Sequence, residues 1–195
     1  EGFNGPGHET WIQLSNPQSE VARVRLEYML EGGATETRTL DIGPSARVSV
    51  RTGDVVPDRA FSVSVWASRP IVAERTSRFA GGQGSHTAFG VPAAAKEWLL
   101  PEGSTAAPFN EFVLLQNPNS TPALATVTFM KDNGQRVERG YTLAPTSRLT
   151  IHVNTVVPDT ALSTRVVADQ PIVVERAMYF SQNTGGHATA GIPHW

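Results

Sequence analysis

The sequence predicts an all-β chain of two tandem antiparallel β-sandwich domains, with about seven strands in each. Three observations carry this reading. Residues 55–79 read VVPDRAFSVSVWASRPIVAERTSRF, and residues 156–180 read VVPDTALSTRVVADQPIVVERAMYF. A shift of 101 residues pairs 1–94 with 102–195 without a gap, and 30 of those 94 pairs are identical, which marks a duplicated structural unit. Apolar residues then alternate with polar ones at period two, and turn signals recur every 8–12 residues or so with no long helical pattern between them.

Each element has its own warrant. Residues 1–9 and 102–110 are loose leaders. The first strand is expected at 11–14 and 112–115, closed by Asn16-Pro17 and Asn117-Pro118, because proline lacks the ladder donor. In the next strand Ala22, Val24, Leu26, Tyr28 and Leu30 share one face, and Arg23, Arg25 and Glu27 share the other. Its second copy keeps the phase through Ala125, Val127 and Phe129. Hairpins follow at 31–34 and 131–134, where Asn133-Gly134 supplies the positive φ that tight turns need. A third strand runs to Pro44 or Pro145, and a fourth places Val48 and Val50, or Leu149 and Ile151, inward. After Val-Pro-Asp a fifth strand sends Phe61, Val63 and Val65 inward and turns at Pro70 or Pro171. The sixth spans 71–79 and 172–180, and a glycine-rich loop leads to a last short strand near 87–91 or 188–192.

The domains are read as 1–95 and 96–195, with a leader from Trp98 to Gly103 at the junction. The alanines at 93–95 permit a turn or two of helix, which the flanking prolines keep short. Glu1-Gly2 aligns with Glu102-Gly103 inside the repeat, so the chain reads as a piece of something longer. Trp195 reads as the first residue of a third leader.

Composition narrows the function classes. The formal charge is −2, with ten cationic against eleven acidic side chains in residues 1–101 and six against seven in residues 102–195. Neither half has the basic footprint of a nucleic-acid binder. No apolar run is long enough for membrane insertion. The absence of cysteine excludes disulfides and thiolate chemistry, and is compatible with secretion.

Candidate sites are few. Glu74-Arg75 and Glu175-Arg176 sit mid-strand, where one member of each pair must face the core and needs a partner, which Arg47 or Arg148 could supply for the glutamate. These six residues are read as a structural network rather than a catalytic one. His86 and His187 occupy equivalent glycine-rich loops without the companion ligands a metal needs, so they read as loop anchors with a lesser claim to a ligand surface. Asp58 and Asp159 read as turn formers. Trp66, on the outward phase of its strand, is replaced by Val167 in the second copy, so a sugar-binding platform on it would exist in the first unit only. No cofactor, metal or catalytic set is expected.

The runs Trp98-Leu99-Leu100-Pro101-Glu102-Gly103, Phe112-Val113-Leu114-Leu115-Gln116-Asn117-Pro118, Thr146-Ser147-Arg148 and Pro171-Ile172-Val173-Val174-Glu175-Arg176 give the chain a family likeness. It resembles an uncharacterised repeat of about 100 residues found in tandem in bacterial secreted and cell-surface proteins. The resemblance covers nearly the whole chain, twice, and departs at Phe3-Asn4-Gly5-Pro6, where the second copy has Ser104-Thr105-Ala106-Ala107. It implies an extracellular or cell-surface immunoglobulin-like module without assigned catalysis. The expectation is a non-enzymatic structural or adhesive module that spaces, displays or self-assembles, with protein (self-association or neighbouring repeats) or a surface glycan as partner. The alternative is a carbohydrate- or ligand-binding module of a larger secreted protein.

Overall fold

Period-two alternation becomes antiparallel sheet throughout. A computed structural model describes residues 1–194, so Trp195 and its reading as a third leader lie outside the described residues. The chain divides into two units, Glu1–Gly90 and Val91–Trp195.

The first unit has β1 (Gly2–Phe3), β2 (Glu9–Asn16), β3 (Ala22–Leu30), β4 (Thr35–Ile42), β5 (Ala46–Arg51), β6 (Ala60–Ala67), β7 (Val72–Phe79) and β8 (Gly84–Phe89). They form two four-stranded sheets, ordered β1-β6-β3-β4 and β5-β2-β7-β8. The apolar row of β3 (Ala22, Val24, Leu26, Tyr28, Leu30) is fully buried, as its alternation requires. It packs with Ile12, Leu14, Val50 and Phe61 into one core. Tyr28 meets Phe61 edge to face, with ring centroids 5.6 Å apart.

The second unit has β9 (Ala95–Leu100), β10 (Asn110–Asn117), β11 (Ala123–Lys131), β12 (Arg136–Leu143), β13 (Ser147–His152), β14 (Leu162–Phe180), β15 (Gly185–Ala190) and β16 (Ile192–Pro193). Its registers repeat those of the first unit at the 101-residue offset. Trp11 opposite Thr76 becomes Phe112 opposite Ala177, and Val24 opposite Ala67 becomes Ala125 opposite Ala168.

Three expectations are corrected here. Ala95 and the start of the second unit's leader form strand β9, not a helical turn, because Trp98 and Leu100 alternate inward against β14 and are fully buried. Pro171 does not end a strand. β14 runs through it for 19 residues, pairing β11 and β9 with its first half and β10 and β15 with its second. β9 pairs on both sides of the irregularity, Glu97 with Val167 and Ala95 with Ile172, and the register shift between them gives the proline a bulge to occupy. Finally, Val65 does not close the core of the first unit: it is 38% exposed, whereas Val166 at the same place in the second unit is 0% exposed. Among the described residues no strand equivalent to β9 lies over it.

Two polar devices recur. Asn16 is buried, and its Nδ2 donates to the carbonyls of Glu20, Ile42 and Gly43 at 2.8, 3.1 and 2.9 Å while its Oδ1 accepts from Gln18 N at 3.0 Å. Asn117 does the same with Thr121, Leu143 and Ala144 at 2.9, 3.4 and 2.8 Å, and with Asn119 N at 3.0 Å. Each asparagine therefore ties the end of its strand to two neighbouring loops. Asp58 and Asp159 both lie in the left-handed region, at φ 49° and 52°. That conformation suits aspartate in a turn, as read from the sequence.

Candidate functional site

Two constellations stand out, each within a single unit. The first begins with the direction of Arg176. Opposite Val113 on β10, it falls on the inward phase of β14. Of the two residues in each Glu-Arg pair, the arginine therefore takes the core side. Its partner is Glu102: Arg176 Nη2 lies 2.7 Å from Glu102 Oε2, and Nη1 donates to the Glu102 carbonyl. Nη2 also lies 3.2 Å from His187 Nδ1. Because guanidinium only donates, Nδ1 must accept and the ring proton sits on Nε2, 4.0 Å from Glu102 Oε2. Burial and the Arg176 charge hold the His187 pKa below its ordinary value, against the opposing pull of Glu102.

Glu111 completes this cluster. It is fully buried, and a Cβ at Gly103 would lie 2.5 Å from its Oε1, so a side chain there would have to displace the carboxyl group. Burial pushes the Glu111 carboxyl up to about 7, against the pull of Arg176 and of the Ser104 amide. A folded-state value above the ordinary 4.5 means the folded protein holds this proton more tightly than the unfolded chain. Stability from this group is therefore full below pH 4.5, falls as pH rises through 7, and is level above it. Glu111→Gln is expected to flatten that slope and to stabilise the chain at pH 8 by on the order of 2 kcal/mol, measured by urea unfolding at pH 4.5 and pH 8. An unchanged slope would count against the assignment.

In the first unit Arg75 is buried and donates to the Glu1 carbonyl, as Arg176 does to that of Glu102. Thr10 stands where Glu111 does, hydrogen-bonded to Asn4 Oδ1 at 3.1 Å and to the Phe3 carbonyl at 2.9 Å. Chemically, the shared element is an anchor. An inward arginine fastens the start of the unit to its central strand.

The second constellation lies on the outer face of the sheet β1-β6-β3-β4. Trp66 is 58% exposed and sits directly opposite Arg25, which in turn faces Thr39. Trp66, Arg23, Arg25 and Thr39 line an open depression of ≈ 360 Å³. Arg23 lies 3.5 Å from Asp41, and Arg25 lies 3.9 Å from Glu27. Exposed pairs at these distances hold their charges weakly. An indole face flanked by two guanidinium groups can stack on a ring and fork onto a carboxylate. At the corresponding positions the second unit has Val167, Leu124, Thr126 and Gly140, none charged or aromatic.

The other residues singled out from sequence take the following places. Arg47 is exposed and donates to Ser49 Oγ at 2.9 Å, whereas Arg148 is buried and donates to Thr150 Oγ1. Glu74 and Glu175 are half-buried on the faces opposite to Arg75 and Arg176. His86 and His187 lie in strands β8 and β15, not in loops, since both strands begin earlier than their glycines suggest. His86 is buried beside Phe79, with ring centroids 5.6 Å apart, and belongs to the sheet that Trp66 does not. Among the described residues, no group of three or more His, Cys, Asp or Glu could hold a metal. Sequence reasoning used Asn16 and Asn117 only as strand ends and Glu102 only to align the repeat, and it passed over Glu111. The two asparagines and Glu102 are identical between the copies, a signal that their side chains have a role beyond marking a turn; Glu111 becomes Thr10 and carries no such signal.

No protein-family model matches the chain, and no curated protein matches it. Among solved structures it is similar to a Thermotoga maritima protein, 1070, at 15% identity and a TM-score of 0.48, covering 52% of this chain and 96% of that one. It is also similar to the Anabaena sensory rhodopsin transducer, at 19% identity and a TM-score of 0.39, over 45% of this chain and 99% of that one. An Amycolatopsis orientalis exo-chitosanase is matched over 93% of this chain but 25% of its own, at 12% identity and a TM-score of 0.21. All three scores lie below 0.5, so the β-sandwich assignment rests on this chain's own strands, registers and cores.

Proposed function

We propose that the chain is a non-enzymatic structural or adhesive module, in which tandem immunoglobulin-like repeats space, display or assemble partners outside the cell. The observation that supports it is what the two copies share. The strand registers, the buried asparagine ties and the inward arginine anchors recur, while the exposed Trp66 face and the buried Glu111 do not. Shared scaffold with unshared surface is the pattern of a repeat that carries different faces on one frame. The likeness to repeats of bacterial secreted and surface proteins points to the same compartment. Immunolabelling of intact and permeabilised cells of the source organism tests this reading. Signal on intact cells supports it, and signal only after permeabilisation overturns it.

A second reading rests on the Trp66 depression, whose indole and paired arginines suit an acidic sugar. Binding on a glycan array that is lost in Trp66→Ala and weakened about tenfold or more in Arg25→Ala is the expected result. Equal binding by the variants would remove the face from consideration.

A further inference from the structure

We infer that the first unit carries a strand-acceptor site along the outer edge of β6, and that its occupant is an extended strand of the chemistry of Ala95–Leu100 from polypeptide outside these 195 residues. This rests on the reading of the chain as an assembling module and names what it captures.

The argument is a comparison of the duplicated units. In the second unit β9 lies on the outer edge of β14, with Leu100 opposite Thr164 and Trp98 opposite Val166. Trp98 and Leu100 enter the core with Val166, Ala168 and Ile172, and the indole Nε1 donates to the Ile172 carbonyl at 2.9 Å. The row Thr164, Val166, Ala168, Ile172 and Val174 is buried throughout. In the first unit the corresponding edge of β6 carries only β1, which pairs Gly2 with Phe61 and Phe3 with Ala60. Among the described residues no strand continues along that edge over 62–67. The corresponding row is left uncovered: Val65 is exposed, and Val63, Ala67, Ile71 and Ala73 are only half-buried. The copies agree in register, and Val65, Ala67 and Ile71 are the same residue types as Val166, Ala168 and Ile172, so what covers the row in one unit defines what fits the other.

Polarity and residue pattern follow from the same comparison. β1 is antiparallel to β6 and is the counterpart of residues 103–104, so an incoming strand that extends it runs antiparallel along 62–67. It needs a large aromatic residue opposite Val65 and a leucine two residues later opposite Val63, with polar or small residues between. Main-chain hydrogen bonds supply affinity and the two apolar side chains supply selectivity, as in strand addition generally.

The test uses the chain as it stands, the same chain with Ala-Lys-Glu-Trp-Leu-Leu-Pro placed ahead of Glu1, and a prefixed chain in which that tryptophan and the second leucine are serine. Amide exchange is followed over residues 62–67. The intact prefix is expected to slow exchange there by about tenfold or more, and the serine prefix to leave it unchanged. The separate peptide Ala-Lys-Glu-Trp-Leu-Leu-Pro, added at millimolar concentration, is expected to give the same protection. Equal exchange in all samples overturns the site. So does protection that grows with protein concentration in the unprefixed chain, since a second copy would then hold the edge. A failure here leaves the cell-labelling result standing, and a failure there leaves this one, so the two readings fall separately.

Discussion

Trp98→Ala is expected to destabilise the second unit by about 3–5 kcal/mol, the range for removing a fully buried large aromatic side chain from a packed core. The residue is 0% exposed, and its indole nitrogen donates to the carbonyls of Ala95 at 3.1 Å and Ile172 at 2.9 Å. Truncation therefore opens a cavity beneath Val166 and Ala168 and leaves buried acceptors unmet. Trp98→Phe should lose less, since it restores most of the volume but not the donor. Urea unfolding followed by exchange at residues 162–180 reads the effect. A loss under 1 kcal/mol for the alanine variant would mean that β9 does not hold the sheet edge. The first unit, whose edge lacks such a strand, should be indifferent to the change.

The second large effect is expected at Asn117. Its amide nitrogen serves three carbonyls and its oxygen one backbone N–H. Asn117→Ala removes the donor from a site closed to water and should cost about 3 kcal/mol. Asn117→Asp separates donor chemistry from size, because a carboxylate of the same shape can accept but cannot donate. It is expected to be at least as damaging at pH 7 and to recover partly as the carboxyl protonates. A silent Asn117→Asp would show that the three carbonyls find other partners. The matching change at Asn16 should act on the first unit in the same way.

Much of the fold was legible because its cause is local. The alternation in β3 and β11, the Asn-Gly hairpin and the Val-Pro-Asp turns follow from residue types a few positions apart, and the duplication doubled every signal. Non-local causes were less accessible. Whether Pro70 and Pro171 end a strand depends on a partner far away in sequence: β9 spans the irregularity near Pro171, and among the described residues no strand spans 68–71. Val65 shows the same dependence, since its phase is inward but its burial is decided by a neighbour. The Glu-Arg pairs announced that one charge would face inward, but strand phase had to be known before the arginine could be chosen. Of the candidate ligand residues, Trp66 is where alternation placed it, exposed on the outer face. His86 is not on the surface, because the strand it belongs to starts two residues ahead of it.

The unbroken course of β14 has a mechanical implication. Because β14 pairs β11 and β9 through its first half and β10 and β15 through its second, tension on either set of strands is carried straight into the other through continuous backbone, and the two should yield as a single stiff body. In the first unit the same passage is a four-residue gap between β6 and β7, a slack joint that lets one sheet give way before the other. Pulled from its ends, the chain should therefore lengthen first in the unit that lacks the through-going strand.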